Sequence, residues 1–315
     1  MSEIKLSIIV PIYNMEKFTG GVLNQFVKQN TDDIEVIIVN DGSTDGTLEA
    51  LKNQNFPNNF KIISYEKNGG VSYARNQAIN VAKGDYVTFV DADDAVVDDF
   101  IQRIKNDIKS NKDMYVYEEG INSKSTKAEI LINHPGLYNG KVYKLDLINK
   151  NDIRYDTKLR VAEDLLFNMK CLSNANTFEI EDYNIYKYLK PNSVYTFNAK
   201  NLANETEFHR EMIKALKPYS DLKSVINTYS IRGVLFLTDR YFGQLPNHNK
   251  DVSLWKSSQK FKKFILSNNY TNYFSNNSNR MSKRDKLIFW LIKHRYYFLS
   301  LVTSLAIDKL KGIKR

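Results

Sequence analysis

The sequence contains a single cysteine, Cys171, among 315 residues. One cysteine cannot close an internal disulfide or build a cysteine-based zinc centre, and it suits a reducing cytoplasm. The four histidines, at 134, 209, 248 and 294, stand in no metal-ligand spacing and read as structural or surface residues. No apolar run reaches the roughly 20 residues that a membrane-spanning helix requires. The stretch "MSEIKLSIIVPIYN" is too short to span, lacks a signal-peptide cleavage pattern and reads as a buried strand. After that strand, "VPIYNMEKF" has no glycine-rich basic loop, which argues against a nucleotidyltransferase. There is no internal repeat.

Charge is present but uneven. The net charge is +9, and residues 283–315 hold nine Lys or Arg against Asp285 and Asp308, a local +7. A nucleic-acid-binding surface should track a groove. Here the positive charge gathers instead beside Phe289, Trp290 and Phe298, so no nucleic-acid partner is expected. The terminal segment reads as a basic amphipathic helix lying on an anionic membrane face. Packing on the protein's own core or in an oligomer interface is the alternative.

In the first hundred residues, the apolar runs "LSIIVPIY", "IEVIIVND", "FKIISY" and "DYVTFVD" alternate with helical patterns such as "VSYARNQAINVAKG". Gly84 is placed to stop that last helix. Strands apolar on both faces that alternate with helices predict a mostly parallel α/β sheet. Ligands of such sheets bind beyond the carboxyl ends of the strands. Residues 101–204 are less regular, with a helix in "AEDLLFNMKCLSNA" and a strand near "YNIYKYLK". Residues 205–315 read as helical, with "SNNYTNYFSNNSNR" as a linker.

The polar clusters fall at the strand ends. "NDGSTDGT" places Asp41 at a strand tip, Gly42 in a tight turn, and Ser43 or Thr44 as caps of the next helix. "NGGVSYARN" brings a Gly-Gly entrance and then Arg75, suited to a phosphate or to an aspartate partner. "YVTFVDADDAVVDDF" puts Asp91, Asp93, Asp94, Asp98 and Asp99 into nine positions. Asp98 reads as a helix cap with Asp99 favoured by the helix dipole. Asp91 and Asp93, at alternate positions, can face one divalent cation whose open positions a diphosphate fills. Glu163-Asp164 in "AEDLLF" stand at a helix start, where they serve as either caps or catalytic groups.

Taken in order, "SIIVPIYN", "VNDGSTDGT", "NGGVSYARNQAI", "DYVTFVDADDAV" and "AEDLLF" resemble the family-two glycosyltransferases, inverting enzymes of GT-A fold that use nucleotide-activated sugars. The resemblance is strong over residues 4–100, continues at Glu163-Asp164, and fades beyond about residue 200. It implies a Rossmann-like, mostly parallel sheet with a helical C-terminal region. The corresponding domains are 1–204, with a nucleotide-sugar half (1–100) and an acceptor half (101–204), and 205–315.

By resemblance, Pro11 and Tyr13 line the base pocket, Asp41 contacts the uracil, and Asn68 and Arg75 hold the nucleotide. Asp91, Ala92 and Asp93 form the family's DxD motif, with Asp91 near the ribose and Asp93 on Mn²⁺ or Mg²⁺. Asp164, beside Glu163, is the base. Two departures matter. Asn40 stands where many relatives carry a second aspartate, and Lys190 and Ser193 stand where many place an arginine and serine against the diphosphate. The implied activity is transfer from a UDP-sugar to a glycan or lipid-linked acceptor at the inner membrane face, in cell-surface polymer synthesis. A weakly active nucleotide-sugar-binding scaffold is the non-enzyme alternative, and the intact Asp41, Asp91, Asp93 and Asp164 argue against it.

Overall fold

The computed structural model describes residues 4–18, 20–134, 140–189, 200–274 and 281–310. The chain divides into two compact units, Met1–Asn192 and Ser193–Arg315.

The first unit is built on a seven-stranded sheet. Its strands are β1 (Leu6–Ile12), β2 (Ile34–Asp41), β3 (Phe60–Tyr65), β4 (Tyr86–Phe89), β6 (Met114–Tyr117), β7 (Lys141–Lys144) and β8 (Phe178–Glu181), in spatial order β3-β2-β1-β4-β7-β6-β8. Two short strands, β5 (Ala95–Val96) and β9 (Tyr186–Lys187), pair separately and antiparallel. Within the large sheet, β7 alone runs antiparallel to its neighbours. The expected mostly parallel sheet is therefore present. β1 is an interior strand, wholly buried, as its unbroken apolar run requires.

Helices α1 (Gly21–Lys28), α2 (Thr47–Lys52), α3 (Val71–Val81), α4 (Phe100–Asp107), α5 (Lys127–Asn133), α6 (Leu145–Lys150) and α7 (Glu163–Asn174) complete this unit. Val22, Leu23 and Phe26 of α1 and Phe100, Ile101 and Ile104 of α4 meet β1 and β2 side chains in one apolar core. Register places Ile12 beside Asn40, and Asp41 beside Tyr65, so the polar ends of β1, β2 and β3 share one edge.

Three local expectations are corrected. Helix α3 ends at Val81, before Gly84. The Gly84 N–H donates to Ser7 Oγ at 2.9 Å, and a Cβ there would meet Ser7 N at 2.6 Å, so this glycine permits a close backbone approach. The cap position of α4 is Asp99, and its side chain makes no capping bond because it pairs with Arg103 at 2.7 Å. Ser43 and Thr44 cap nothing. Asn14 N–H donates to Ser43 Oγ and Thr44 N–H donates to Asn14 Oδ1, tying two strand-end loops together. Asp45 instead receives the Thr47 N–H at the start of α2.

The second unit is helical: α8 (Asn201–Leu216), α9 (Lys223–Leu237), α10 (Leu245–His248), α11 (Leu254–Ser267), α12 (Lys283–Lys293) and α13 (Tyr297–Leu310). Its core joins Val234, Leu237, Phe242, Phe261, Ile265, Ile288, Ile292 and Leu301. The expected linker is partly docked, since Tyr270 is buried and stacks on His209 at 3.8 Å. Residues 275–280 lie outside the described residues. The basic terminal segment forms two helices, turning at Arg295 (φ 67°). Phe289 points into the core, while Trp290, Tyr296, Phe298 and Leu299 are exposed.

Candidate active site at the carboxyl edge of the sheet

Asp41, at the end of β2, is buried, and its carboxylate is already engaged. Gly69 N–H donates to Oδ1 at 2.9 Å and Gly70 N–H to Oδ2 at 2.7 Å. The Asn68 amide donates to the Asp41 carbonyl at 3.1 Å. A ligand N–H reaching this carboxylate must share it with the Gly-Gly loop. Gly42 adopts φ +67°, and a Cβ there would meet Asn68 N at 2.5 Å, so this turn demands glycine. Pro11 is buried in β1, and Tyr13, just past the strand, is 43% exposed and open to a ligand.

Arg75 projects from α3 with its guanidinium almost wholly buried. It pairs with Asp91 Oδ1 at 2.8 Å and Glu163 Oε1 at 3.5 Å, and lies over the Tyr155 ring at 5.1 Å. Burial works against its charge, but Asp91, Tyr155 and Glu163 hold its pKa above the usual arginine range. The structure therefore brings together Arg75, Asp91 and Glu163, which lie far apart in sequence.

Ala92 is buried, whereas Asp91 and Asp93 are partly exposed. Asp94 is buried and faces the fold: Tyr186 donates to its Oδ2 at 2.6 Å and Leu189 N–H to its Oδ1 at 3.0 Å. Burial raises the Asp94 pKa. Among the described residues, no three or more His, Cys, Asp or Glu side chains are gathered to hold a metal by themselves. Asp91, held by Arg75, and Asp93 are the carboxylates of the DxD stretch that keep part of their surface exposed. One or two carboxylates completed by substrate phosphates is the donor set that Mg²⁺ and Mn²⁺ accept. The residues present fit such an ion.

Glu163 and Asp164 open α7, preceded by Ala162 in the left-handed conformation (φ 63°, ψ 19°). That conformation costs a non-glycine residue roughly 1–2 kcal/mol, and here it sets the angle at which both carboxylates leave the helix start. Asp164 Oδ1 accepts the N–H of Leu165 at 2.7 Å. Burial pushes the Asp164 carboxyl up to about 7, Glu163 adds to the rise, and Arg75 opposes it. A carboxylate titrating there is poised to accept a proton near neutral pH.

Lys190 and Ser193 lie outside the described residues. Sequence reasoning missed three contributors. Tyr186, which anchors Asp94, also accepts the Asp91 N–H at 3.2 Å. Lys141, buried in β7, interacts with Glu118 and Asp164, and burial lowers its ammonium to about 7. Arg160 approaches the loop entrance, with one guanidinium nitrogen 3.6 Å from where a Gly70 Cβ would stand. A basic residue four positions before Asp164 was the only visible signal for Arg160.

The sequence model described as glycosyl transferase family 2 matches residues 7–157. A poly(ribitol-phosphate) β-N-acetylglucosaminyltransferase of Staphylococcus aureus (strain MW2), TarS, is 35% identical over 201 residues, covering 58% of this chain and 35% of that protein. The chain thus spans about a third of that relative's length. The uncharacterized glycosyltransferase EpsJ of Bacillus subtilis (strain 168) is 25% identical over 324 residues, covering 93% of this chain and 94% of its own. The crystal structure of S. aureus TarS residues 1–349 with UDP-GlcNAc has a TM-score of 0.71 at 22% identity, covering 98% of this chain and 92% of that one. The likeness is one of fold, and that fold is the expected GT-A sheet with its helical C-terminal region. Residues 7–157 belong to glycosyl transferase family 2.

Proposed function

We propose that this protein transfers a sugar, with inversion, from a UDP-sugar to a hydroxyl of a glycan or lipid-linked acceptor in cell-surface polymer synthesis. The observation that carries the reading is the convergence of Arg75 and Asp91, inside the family-two match, with Glu163-Asp164 just beyond it. Relatives named as N-acetylglucosaminyl- and glucosyltransferases of poly(ribitol-phosphate) make UDP-GlcNAc and UDP-glucose the first donors to test. In this reading residues 1–100 serve the donor, 101–204 the acceptor, and 205–315 form the helical region.

Asp164 takes the proton from the acceptor hydroxyl as that oxygen attacks the anomeric carbon opposite the leaving diphosphate. Glu163 and Arg75 set its basicity, and Arg75 also holds Asp91 in place. Tyr13 and Pro11 face the base, with Asn68 and the Asp41 loop beside them. Mn²⁺ or Mg²⁺, held by Asp93 with Asp91, would offset charge on the diphosphate. The protein acts at the cytoplasmic membrane face, which the exposed Trp290, Tyr296 and Phe298 and the neighbouring Lys293 and Arg295 suit. Among the described residues no helix is long and apolar enough to cross a membrane.

The test is a panel of nucleotide sugars with Mn²⁺ or Mg²⁺, scored for UDP release, together with Asp164→Asn. The variant should bind UDP by calorimetry and lose at least about a hundredfold in turnover. Silence across the whole panel would refute the activity, and near-normal turnover in the variant would remove Asp164 as the base.

A further inference from the structure

The same sheet carries a second concavity at its opposite edge. A cavity of about 770 Å³ opens where β1 and β4 begin and antiparallel β7 ends. β1 is seven residues long, so at about 3.3 Å per residue some 20 Å of strand separates this cavity from the Asp41–Asp91 edge. Its size lies within the roughly 300–1,000 Å³ common for small-molecule sites. Tyr86, Ile108 and Leu145 give it an apolar wall, and Lys5, Lys105, Lys109 and Lys144 line the rest together with three aspartates.

The charges do not cancel. Lys5 pairs with Asp85 at 3.0 Å and Lys105 with Asp33 at 2.7 Å. The third carboxylate, Asp146, is matched by Lys150 at 2.5 Å. Lys109 and Lys144 instead donate to neutral amides, Asn106 Oδ1 at 3.1 Å and Asn111 Oδ1 at 2.8 Å. Four lysines thus face three aspartates in the wall, and Lys109 and Lys144 are the two whose described hydrogen bonds go to amides and not to carboxylates. Asn111 is held in the left-handed conformation (φ 54°), and the Tyr86 hydroxyl reaches the next residue's carbonyl, Lys112 O, at 3.0 Å and Asn111 Oδ1 at 3.3 Å, so one turn holds both a cation and a wall residue. An ammonium carries three N–H donors, of which Asn106 takes one from Lys109 and Asn111 one from Lys144.

We propose that this cavity binds a small phosphate ester, its phosphate between Lys109 and Lys144 and its sugar or polyol body against Tyr86, Ile108 and Leu145. Charge-assisted bonds from two ammonium groups suit phosphate oxygens. The apolar wall suits a ring or carbon chain, which a bare inorganic ion lacks. The ester is either a free monoester or one phosphodiester unit of a longer chain. The site is separate from the donor edge and stands whether or not the transferase reading holds.

The test titrates the full chain with glucose 1-phosphate, with glycerophosphoglycerol and with neutral glucose, by calorimetry and by shifts of the lysine side-chain NMR signals. A phosphate ester should bind and glucose should not. Lys109→Ala with Lys144→Ala should weaken the ester by about tenfold or more, Lys109→Arg with Lys144→Arg should retain it, and Asp93→Asn should leave it unchanged. Circular dichroism of each variant confirms the fold. Tighter binding of the monoester supports a free metabolite, and tighter binding of the diester supports a chain segment. Equal affinity in wild type and the double alanine variant, or an ester no tighter than glucose, overturns the proposal.

Discussion

Replacing Arg75 with methionine tests the electrostatic frame of the site. Methionine keeps much of the stem that packs near Tyr155 but removes the charge shared by Asp91 and Glu163 at 2.8 and 3.5 Å. At an effective dielectric constant near 20, two unit charges about 4 Å apart interact by roughly 4 kcal/mol. Breaking a buried pair by removing one partner typically costs about 3–5 kcal/mol. The expected loss of stability at pH 8 is therefore about 3–4 kcal/mol.

That loss must depend on pH in one direction. Without Arg75 the folded-state pKa of Asp164 rises further, since Arg75 lowers it in the intact protein. Below about pH 7 folded Asp164 is protonated with or without Arg75, so this share of the penalty is absent there and grows as pH rises through that value. The pH at which turnover rises, about 7 in the intact protein by the Asp164 value, should move upward by about one unit, equivalent to roughly 1.4 kcal/mol. Urea unfolding at pH 5 and pH 8, with UDP release measured from pH 5.5 to 9.5, reads both effects. A stability loss independent of pH, or an unmoved turnover profile, would refute the coupling between Arg75 and Asp164.

Tyr186→Phe removes the hydroxyl that donates to Asp94 and accepts from Asp91 N–H. It should lower stability by about 2 kcal/mol, as the loss of a hydrogen bond to a charged group does, and raise KM for the donor as the loop loosens. An unchanged urea midpoint would show that Asp94 is not held this way. Trp255 and Trp290 are 59% and 50% exposed in the helical unit, and Trp255 packs edge-on against Phe298. Trp255→Ala with Trp290→Ala should weaken binding to vesicles containing anionic lipid by about tenfold while sparing the fold. Equal sedimentation with vesicles would leave these aromatics without a membrane role. Truncation at residue 283 is the poorer experiment, because Ile288, Ile292 and Leu301 belong to the unit's core.

The strands were legible because β1 and β2 are buried on both faces, which forces unbroken apolar runs that any pattern reading detects. The carboxyl-edge rule then places Tyr13, Asp41, Asn68 and Asp91 along one edge from the sequence alone. What the sequence hid is set by tertiary contact. Nothing in "YNIYKYLK" indicates that the Tyr186 hydroxyl reaches back 92 positions to Asp94, since that depends on how β9 pairs with β5. Nothing in the sequence marks Lys141, and only its burial near Glu118 and Asp164 makes it part of the site's electrostatics. Capping was misread for the same reason. Asp99 had an i+4 arginine available, and Ser43 and Thr44 had Asn14 from another loop, each a stronger partner than a helix end. The terminal aromatics were visible by type, but only packing divides buried Phe289 from exposed Trp290.

The sign of the site's charge gives a last prediction. Asp91, Glu163 and Asp164 gather about the Arg75 guanidinium, so carboxylates outnumber that cation where, in the proposed reading, a diphosphate enters. Either a cation accompanies the diphosphate or a carboxylate must lose its charge. Asp164 is the carboxylate able to do so, since its pKa stands at about 7. Without added metal, UDP should bind weakly and bind better as pH falls from 8 to 6, by roughly fivefold if protonation removes about 1 kcal/mol of screened repulsion. Asp164→Asn, neutral throughout, should bind UDP at pH 8 as tightly as the intact protein does at pH 6, leaving only the pH dependence of UDP itself. With millimolar Mn²⁺ the two proteins should converge at all pH values. Metal-free UDP affinity that is the same for both proteins at pH 8 would mean that the Asp164 charge does not reach the diphosphate, and its raised pKa would then serve the acceptor alone.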